Sequence, residues 1–292
     1  MDVEVAIRPL TEDDIDAARV VQVSAFDTKD RATGHVVPEM TPEMVERQRG
    51  RFRHFMTHDP EGSWVATVDG AVVGTALALR RDSLWGLSLL AVDPAVQSNG
   101  IGRRLLDASL RYADDVDTAT ILSSSDPRAI RSYAVAGFDL YPQVRATGPL
   151  DRALLPRPSG RVRDGDASRV EWADDLDRLV RGAARGPDHT VLSGMSQMYV
   201  VDDASGRGYA YLRTDGRIVT VVAPDDDTAT ALLWQCLAAE QDGDRTIDHV
   251  NGGQQWAVRV ALAARLPIKP SGPVFWRGRT PPASYLPDGA YL

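Results

Sequence analysis

The stretch Val92-Asp-Pro-Ala-Val-Gln-Ser-Asn-Gly-Ile-Gly-Arg-Arg-Leu-Leu106 constrains the fold more than any other part of the chain. The apolar run Trp85 to Val92 (WGLSLLAV) reads as a buried strand, its apolar residues alternating poorly, as expected when both faces are covered. A loop with Gly100 and Gly102 follows, and then a helical pattern, Arg103 to Ala113, with Leu105, Leu106 and Leu110 on one face. Glycines let a backbone come close to a ligand, and the unpaired N–H groups of a helix start favour an anion. Gln97 adds an amide donor, and Arg103 and Arg104 add positive charge at the loop exit. Two familiar phosphate motifs fail here. No G-x-x-x-x-G-K-[ST] is present, and Gly102 is followed by Arg-Arg-Leu where a dinucleotide fingerprint needs a third glycine.

The elements around this loop alternate. Val3 to Arg8 reads as a strand, and Thr11 with Glu12 to Asp14 as a helix start continued by Ile15, Ala18, Val21 and Val23. Pro42 opens a second helix through Phe55. Ser63 to Val68 and Ala71 to Arg80 flank Asp69-Gly70, a strong hairpin signal. Thr118 to Ser123 is a further strand, and Pro127 starts a helix that stops at Gly137, with extended chain from Phe138. Leu150 to Gly160 holds Pro156 and Pro158, loses periodicity, and reads as a linker.

The order then repeats. Asp175 to Ala184 is helical, Gln197 to Val201 and Tyr209 to Arg213 form a strand pair, Arg217 to Val222 is a strand, and Asp225 to Glu240 a helix. Thr246 to Val250 and Gly253 to Arg265 complete the series as strand and helix. Leu89 to Pro94 aligns with Val219 to Pro224, and Thr118 to Leu122 with Thr246 to Val250, as in a divergent duplication of one unit. The 292 residues suit two domains, set at 1–150 and 158–292.

Composition removes several classes. A formal charge of −8 argues against a nucleic-acid footprint and against attraction to anionic membrane. No 18-residue apolar run and no basic-then-apolar leader are seen, so a cytoplasmic protein is expected. The lone cysteine, Cys236, excludes an internal disulfide framework and a cysteine-based zinc cluster. His35, His54, His58, His189 and His249 are scattered; His54 and His58 share a helix face without a third ligand nearby, so no metal is expected.

The loop resembles the coenzyme A loop of the GNAT superfamily, the GCN5-related N-acetyltransferases: [QR]-x-x-G-x-[GA] is matched by Gln97-Ser98-Asn99-Gly100-Ile101-Gly102. The resemblance implies that Leu90, Ala91 and Val92 offer main-chain groups to the acetyl-pantetheine arm. It also implies that Ser98 to Arg103 donate N–H groups to the pyrophosphate of acetyl-CoA. A second block, Ser125 to Phe138, resembles N-x-x-A-x-x-x-Y-x-x-x-G-F, with Tyr133 matching the tyrosine that protonates the leaving thiolate in many members. Asp126 stands where asparagine is usual, a carboxylate in place of an amide. The resemblance covers about Val3 to Pro149 and implies an α/β fold with a mixed α+β sheet, here as two tandem GNAT-like domains.

The expected reaction is direct transfer of the acetyl group to a primary amine of a small molecule, the Val92 N–H stabilising the oxyanion. The alternatives are a protein or peptide acceptor, or a non-catalytic acyl-CoA-binding sensor or scaffold. No carboxylate on Trp85 to Val92 offers a general base; Ser88, Asp27 after the first helix, a water chain or an acceptor arriving neutral are the alternatives. The second half lacks the loop. Asp225, Asp226 and Asp227 stand at its helix start and would repel pyrophosphate, so only the first half is expected to bind the cofactor. The aromatic tail from Phe275 to Leu292 reads either as a surface strap or as a lining of the acceptor pocket. A monomer, paired internally as a pseudo-dimer, or a homodimer is expected.

Overall fold

The computed structural model describes residues 4–32, 39–157, 160–240 and 243–292. Val3, His35 and Pro158 lie outside the described residues. By contacts the chain divides into two compact units, one of residues up to Arg80 with Trp85–Ala119, the other of Arg81–Leu84 with Thr120–Leu292.

The first unit runs β1 (Val5–Pro9), α1 (Ile15–Ala32), α2 (Pro42–His58), β2 (Ser63–Val68), β3 (Ala71–Arg81), β4 (Leu84–Val92) and α3 (Ile101–Leu110). Its strands lie in the order β1-β2-β3-β4. β1 is antiparallel to β2 with Ile7 opposite Ala66, and β2 to β3 with Trp64 opposite Ala76. Asp69 and Gly70 both take positive φ, 49° and 80°, the backbone of a two-residue hairpin turn whose twist matches the strands it joins. Before α1, the Asp14 carboxylate accepts from the Thr11 N–H (2.9 Å) and both Arg8 Nη atoms (2.6 and 2.7 Å). α1 runs to Ala32, so Asp27 sits inside the helix rather than after it, with Arg31 one turn on at 3.8 Å. His54 and His58 lie with ring centroids 4.7 Å apart near the end of α2. α3 packs its Ile101 and Leu105 against Ala66 and Ala76, with Leu90 and Val92 beside them. The apolar stripe of α3 therefore seats the helix start near the end of β4.

The second unit holds β5 (Thr118–Leu122), α4 (Pro127–Val135), β6 (Asp139–Gly148), β7 (Arg163–Gly165), α5 (Val170–Arg181), α6 (Asp188–Met195), β8 (Ser196–Asp203) and β9 (Gly206–Arg213). It continues with β10 (Ile218–Val222), α7 (Asp226–Ala238), β11 (Arg245–Asn251), α8 (Gln255–Ala263), β12 (Ile268–Arg277) and β13 (Tyr285–Leu286). One strand series is β5-β12-β6-β11, the other β13-β10-β9-β8-β7. The series β10, α7, β11, α8, β12 repeats the chain order β4, α3, β5, α4, β6. The core gathers Leu232, Leu233 and Leu237 of α7, Trp256 and Val260 of α8, and the strand residues Leu212, Val221 and Ile247.

The contact units do not divide where the repeat does. β6 closes the first repeat in sequence, yet it pairs with β12 (Val144 opposite Pro270) and with β11 (Ala146 opposite Ile247), both from the second repeat. Ladder partners decide where a strand belongs, and those of β6 lie about a hundred residues downstream. The tail is no surface strap: Tyr285, Leu286, Tyr291 and Leu292 are 1–3% exposed, and β13 pairs with β10. Among the described residues no helix is long and apolar enough to cross a membrane.

Candidate functional site

The loop after β4 is built to leave a helix start open. Pro94–Val96 form one 3-10 turn, with the Asp93 carboxylate accepting from the Ala95 N–H at 2.9 Å. Ser98 takes φ 68°, and Gly100 takes φ 75° as the N-cap of α3, with no side-chain cap. A left-handed N-cap suits glycine because a Cβ there is strained. The first intrahelical bond runs from the Arg104 N–H to the Gly100 carbonyl at 3.1 Å. The N–H groups of Ile101, Gly102 and Arg103 precede it and point out of the helix end, where the macrodipole is positive. Ser98, Asn99, Gly100 and Arg103 are exposed, and a Cβ at Gly102 would meet only Val92 Cγ2 at 3.6 Å. Gln97 also serves the loop itself. Its amide nitrogen donates to the Val92 carbonyl at 2.9 Å and ties the loop to the end of β4. The Asn99 amide likewise donates to Val96 O at 3.2 Å.

β4 has two unlike faces in its second half. Leu87, Leu89 and Ala91 are each 3% exposed, whereas Ser88, Leu90 and Val92 are half-buried. The alternation is that of a strand with one face covered and one partly open, not of a strand covered on both. Arg51 of α2 reaches this open face: its Nη2 donates to the Ser88 carbonyl and to Ser88 Oγ, the latter at 2.6 Å. The sequence carried no sign of this pair, because 37 residues separate its members and no local spacing encodes the approach.

The matching turn of the second repeat is filled. Asp225 caps α7, its carboxylate accepting from the Thr228 N–H at 2.8 Å and from Thr228 Oγ1 at 2.9 Å. The Asp226 carboxylate accepts from Ser284 Oγ at 2.7 Å. The same strand-to-helix step thus ends in an uncapped helix in one repeat and in carboxylates in the other.

Tyr133 lies in α4, 5% exposed, with its ring edge-to-face against Phe275 at 5.5 Å. Its hydroxyl has no hydrogen-bond partner among the described residues. Burial and the nearby Asp126 charge both push the phenol well above its usual range, so it keeps its proton at neutral pH. Asp126 is the N-cap of α4: it accepts from the Arg128 N–H at 2.8 Å and pairs with the Arg128 guanidinium at 2.8 Å. Asparagine caps a helix as well as aspartate does, which accounts for the exchange at this position.

Beyond the predicted residues, the second unit buries a polar network. Asp177 Oδ1 and Oδ2 accept from Tyr209 Oη at 2.9 and 2.8 Å, and Arg185 Nε lies 3.3 Å from the same carboxylate. His189 Nε2 meets Asp177 at 3.1 Å and Asp174 at 3.4 Å, and Nδ1 meets Tyr211 Oη at 3.1 Å. Asp174, Asp177 and His189 come close enough to suggest a cation site. Asp177, however, is already saturated by a phenol, an imidazole and a guanidinium, and the guanidinium supplies the compensating charge.

With this geometry in view, residues 29–138 match the Acetyltransferase (GNAT) family. The match spans residues 29–138 of the 292, and the α/β architecture is that of two tandem GNAT-like domains. A putative acetyltransferase from Pyrococcus horikoshii is similar at 19% identity and TM-score 0.73, over 98% of this chain and 95% of that one. A GCN5-related N-acetyltransferase from Kribbella flavida gives 16% identity and TM-score 0.62, over 94% and 71%. A tandem GNAT protein from the clavulanic acid biosynthesis pathway gives 16% and 0.59, over 95% and 99%. No curated protein sequence matches the chain.

Proposed function

We propose that the protein is an acetyl-CoA-dependent N-acetyltransferase acting on a primary amine of a small molecule. The observation that carries this reading is the uncapped, glycine-started N-terminus of α3 within the family match, set against the carboxylate-filled start of α7. The main-chain N–H groups from Ser98 to Arg103 hold the pyrophosphate, with Gln97 keeping the loop in place and Arg103 adding charge. Leu90, Ala91 and Val92 take the pantetheine arm through their main chain, and the Val92 N–H receives the developing oxyanion. Bound acetyl-CoA supplies the activated acyl group. Tyr133 serves as the acid that protonates the leaving thiolate, a role supported by the Ser125 to Phe138 block and by its free, protonated hydroxyl. Asp126 caps α4 at the position that the resemblance assigns to the cofactor side.

β4 carries no carboxylate, so in this reading the amine arrives neutral and passes its proton to a water chain as the amide forms.

A CoA-release assay over amines, peptides and aminated antibiotics tests the reading. Turnover with a small amine, lost or at least tenfold weaker in kcat/KM for Gly100→Asp, is the expected result. Turnover only with peptides favours the protein acceptor, and a thermal shift by acetyl-CoA with no CoA release from any amine favours a sensor.

A further inference from the structure

The alignment of Leu89 to Pro94 with Val219 to Pro224 sets Leu90, Ala91 and Val92 against Thr220, Val221 and Val222. In the second unit the main chain of these residues is already engaged. β10 and β11 meet in a parallel bridge between Arg217 and Thr246, where the Thr246 N–H donates to the Gly216 carbonyl at 3.3 Å. Further along, β11 pairs with β6, and the edge of β10 is taken by β13. Leu286 lies opposite Val221 and Tyr285 opposite Val222, antiparallel.

The bonding extends beyond the two paired residues. Thr220 Oγ1 donates to the Leu286 carbonyl at 2.6 Å, and the Ala223 N–H to the Ser284 carbonyl at 3.2 Å. At the start of α8, Gln254 Nε2 donates to the Tyr285 carbonyl at 2.6 Å and to that of Pro282 at 3.3 Å. Trp256 Nε1 donates to the Ala283 carbonyl at 2.9 Å. Every carbonyl from Pro282 to Leu286 therefore accepts a bond from the end of β10 or the start of α8. The Ser284 hydroxyl adds one to Asp226, in the first turn of α7, at 2.7 Å. A segment held residue by residue through its main chain on a strand edge is bound as a peptide is in strand addition.

We propose that Pro282–Leu286 are a built-in peptide ligand of the second repeat, seated in the main-chain slot that the reading above gives to the acyl-pantetheine arm in the first. The proposal rests on that reading for what the slot holds in the first repeat. Asp225 and Asp226 close the phosphate end of the second repeat, and this segment closes the acyl end. Buried donors left unpaired are costly, so the segment leaves only for a ligand that takes over its bonds. An acyl-pantetheine arm carries too few amide carbonyls to do so, and acyl-CoA is barred from this repeat.

Hydrogen exchange read by mass spectrometry on the full chain, with and without saturating acetyl-CoA, tests the proposal. In the wild type, residues 284–286 are expected to exchange at least about a hundredfold more slowly than an unstructured peptide. Gln254→Glu keeps the oxygen that accepts from the Asn251 N–H at 2.7 Å but replaces the donor to Pro282 and Tyr285 by an acceptor. Residues 284–286 and 218–223 should then exchange together, at least about tenfold faster than in the wild type. Acetyl-CoA should slow exchange at 97–104 and leave 218–223 and 284–286 unmoved. Weaker protection of 284–286 in the wild type, no change in Gln254→Glu, or release of 284–286 by acetyl-CoA with protection of 218–223 overturns the proposal. Where Gln254→Glu fails to fold, the two wild-type measurements decide. Acetyl-CoA that protects nothing at 97–104 while 284–286 stay protected contradicts the reading of the first repeat and supports the built-in ligand of the second.

Discussion

Tyr133 shows how little a single residue declares by itself. A tyrosine in mid-helix with 5% exposure and an aromatic neighbour is, on packing alone, a core residue. Its spacing from Asp126 and Gly137 is what marked it. Tyr133→Phe keeps the Phe275 contact and removes only the hydroxyl. It is expected to lower kcat by about 10²–10⁴ while acetyl-CoA affinity changes less than threefold, read by steady-state kinetics and calorimetry. A kcat equal to wild type removes Tyr133 from the acid role. Gly100 was legible for a local reason, since a positive φ leaves a trace in residue type. Gln97 was only half legible. The sequence marks it as an amide in a phosphate loop, but its use as a tie to Val92 O depends on where the end of β4 lies. Arg51 was invisible, because a contact across 37 residues has no period to detect.

At the scale of elements, periodicity located what was amphipathic or punctuated. The hairpin at Asp69-Gly70, the Pro127 helix start and the Asp225 cap all appear where local chemistry requires them. α6, β7 and β13 escaped because each is at most eight residues long, too short to show a period. α5 and α6 are joined by a titratable bond whose pH response has a definite sign. Burial pushes the His189 pKa down, but its bonds to Asp174 and Asp177 outweigh this and hold it above the usual value. Burial would raise Asp174, yet bonds from His189 and the Gly186 and Arg185 N–H groups bring it to about 2. A raised folded pKa stabilises fully below the unfolded value near 6.5 and is lost as pH rises through the folded pKa. A lowered one stabilises above the unfolded value near 4 and is lost as pH falls towards 2. Urea unfolding followed by tryptophan fluorescence is therefore expected to give a stability maximum between about pH 4 and 6.5 for this region. His189→Gln should flatten the alkaline limb; an unchanged slope there contradicts the assignment.

For the whole molecule, the duplication was readable and the division of contacts was not. Two aligned blocks at nearly equal offsets, 130 and 128 residues, reveal a repeated unit, whereas the partners of β6 are fixed only when the chain closes on itself. A fragment ending at residue 157 keeps the whole family match but leaves β6 without β11 and β12. It is expected to unfold non-cooperatively or aggregate, by circular dichroism and size-exclusion chromatography, and to regain a cooperative transition when residues 158–292 are supplied. A fragment as stable as the full chain would show that the β6 ladder is dispensable. The central claim is that one strand-to-helix turn of the two retains cofactor binding. Isothermal titration of acetyl-CoA into the full chain tests it most directly. One equivalent should bind, with Gly100→Asp weakening the affinity at least tenfold, about 1.4 kcal/mol. Two equivalents per chain, or an affinity unmoved by Gly100→Asp, would contradict it.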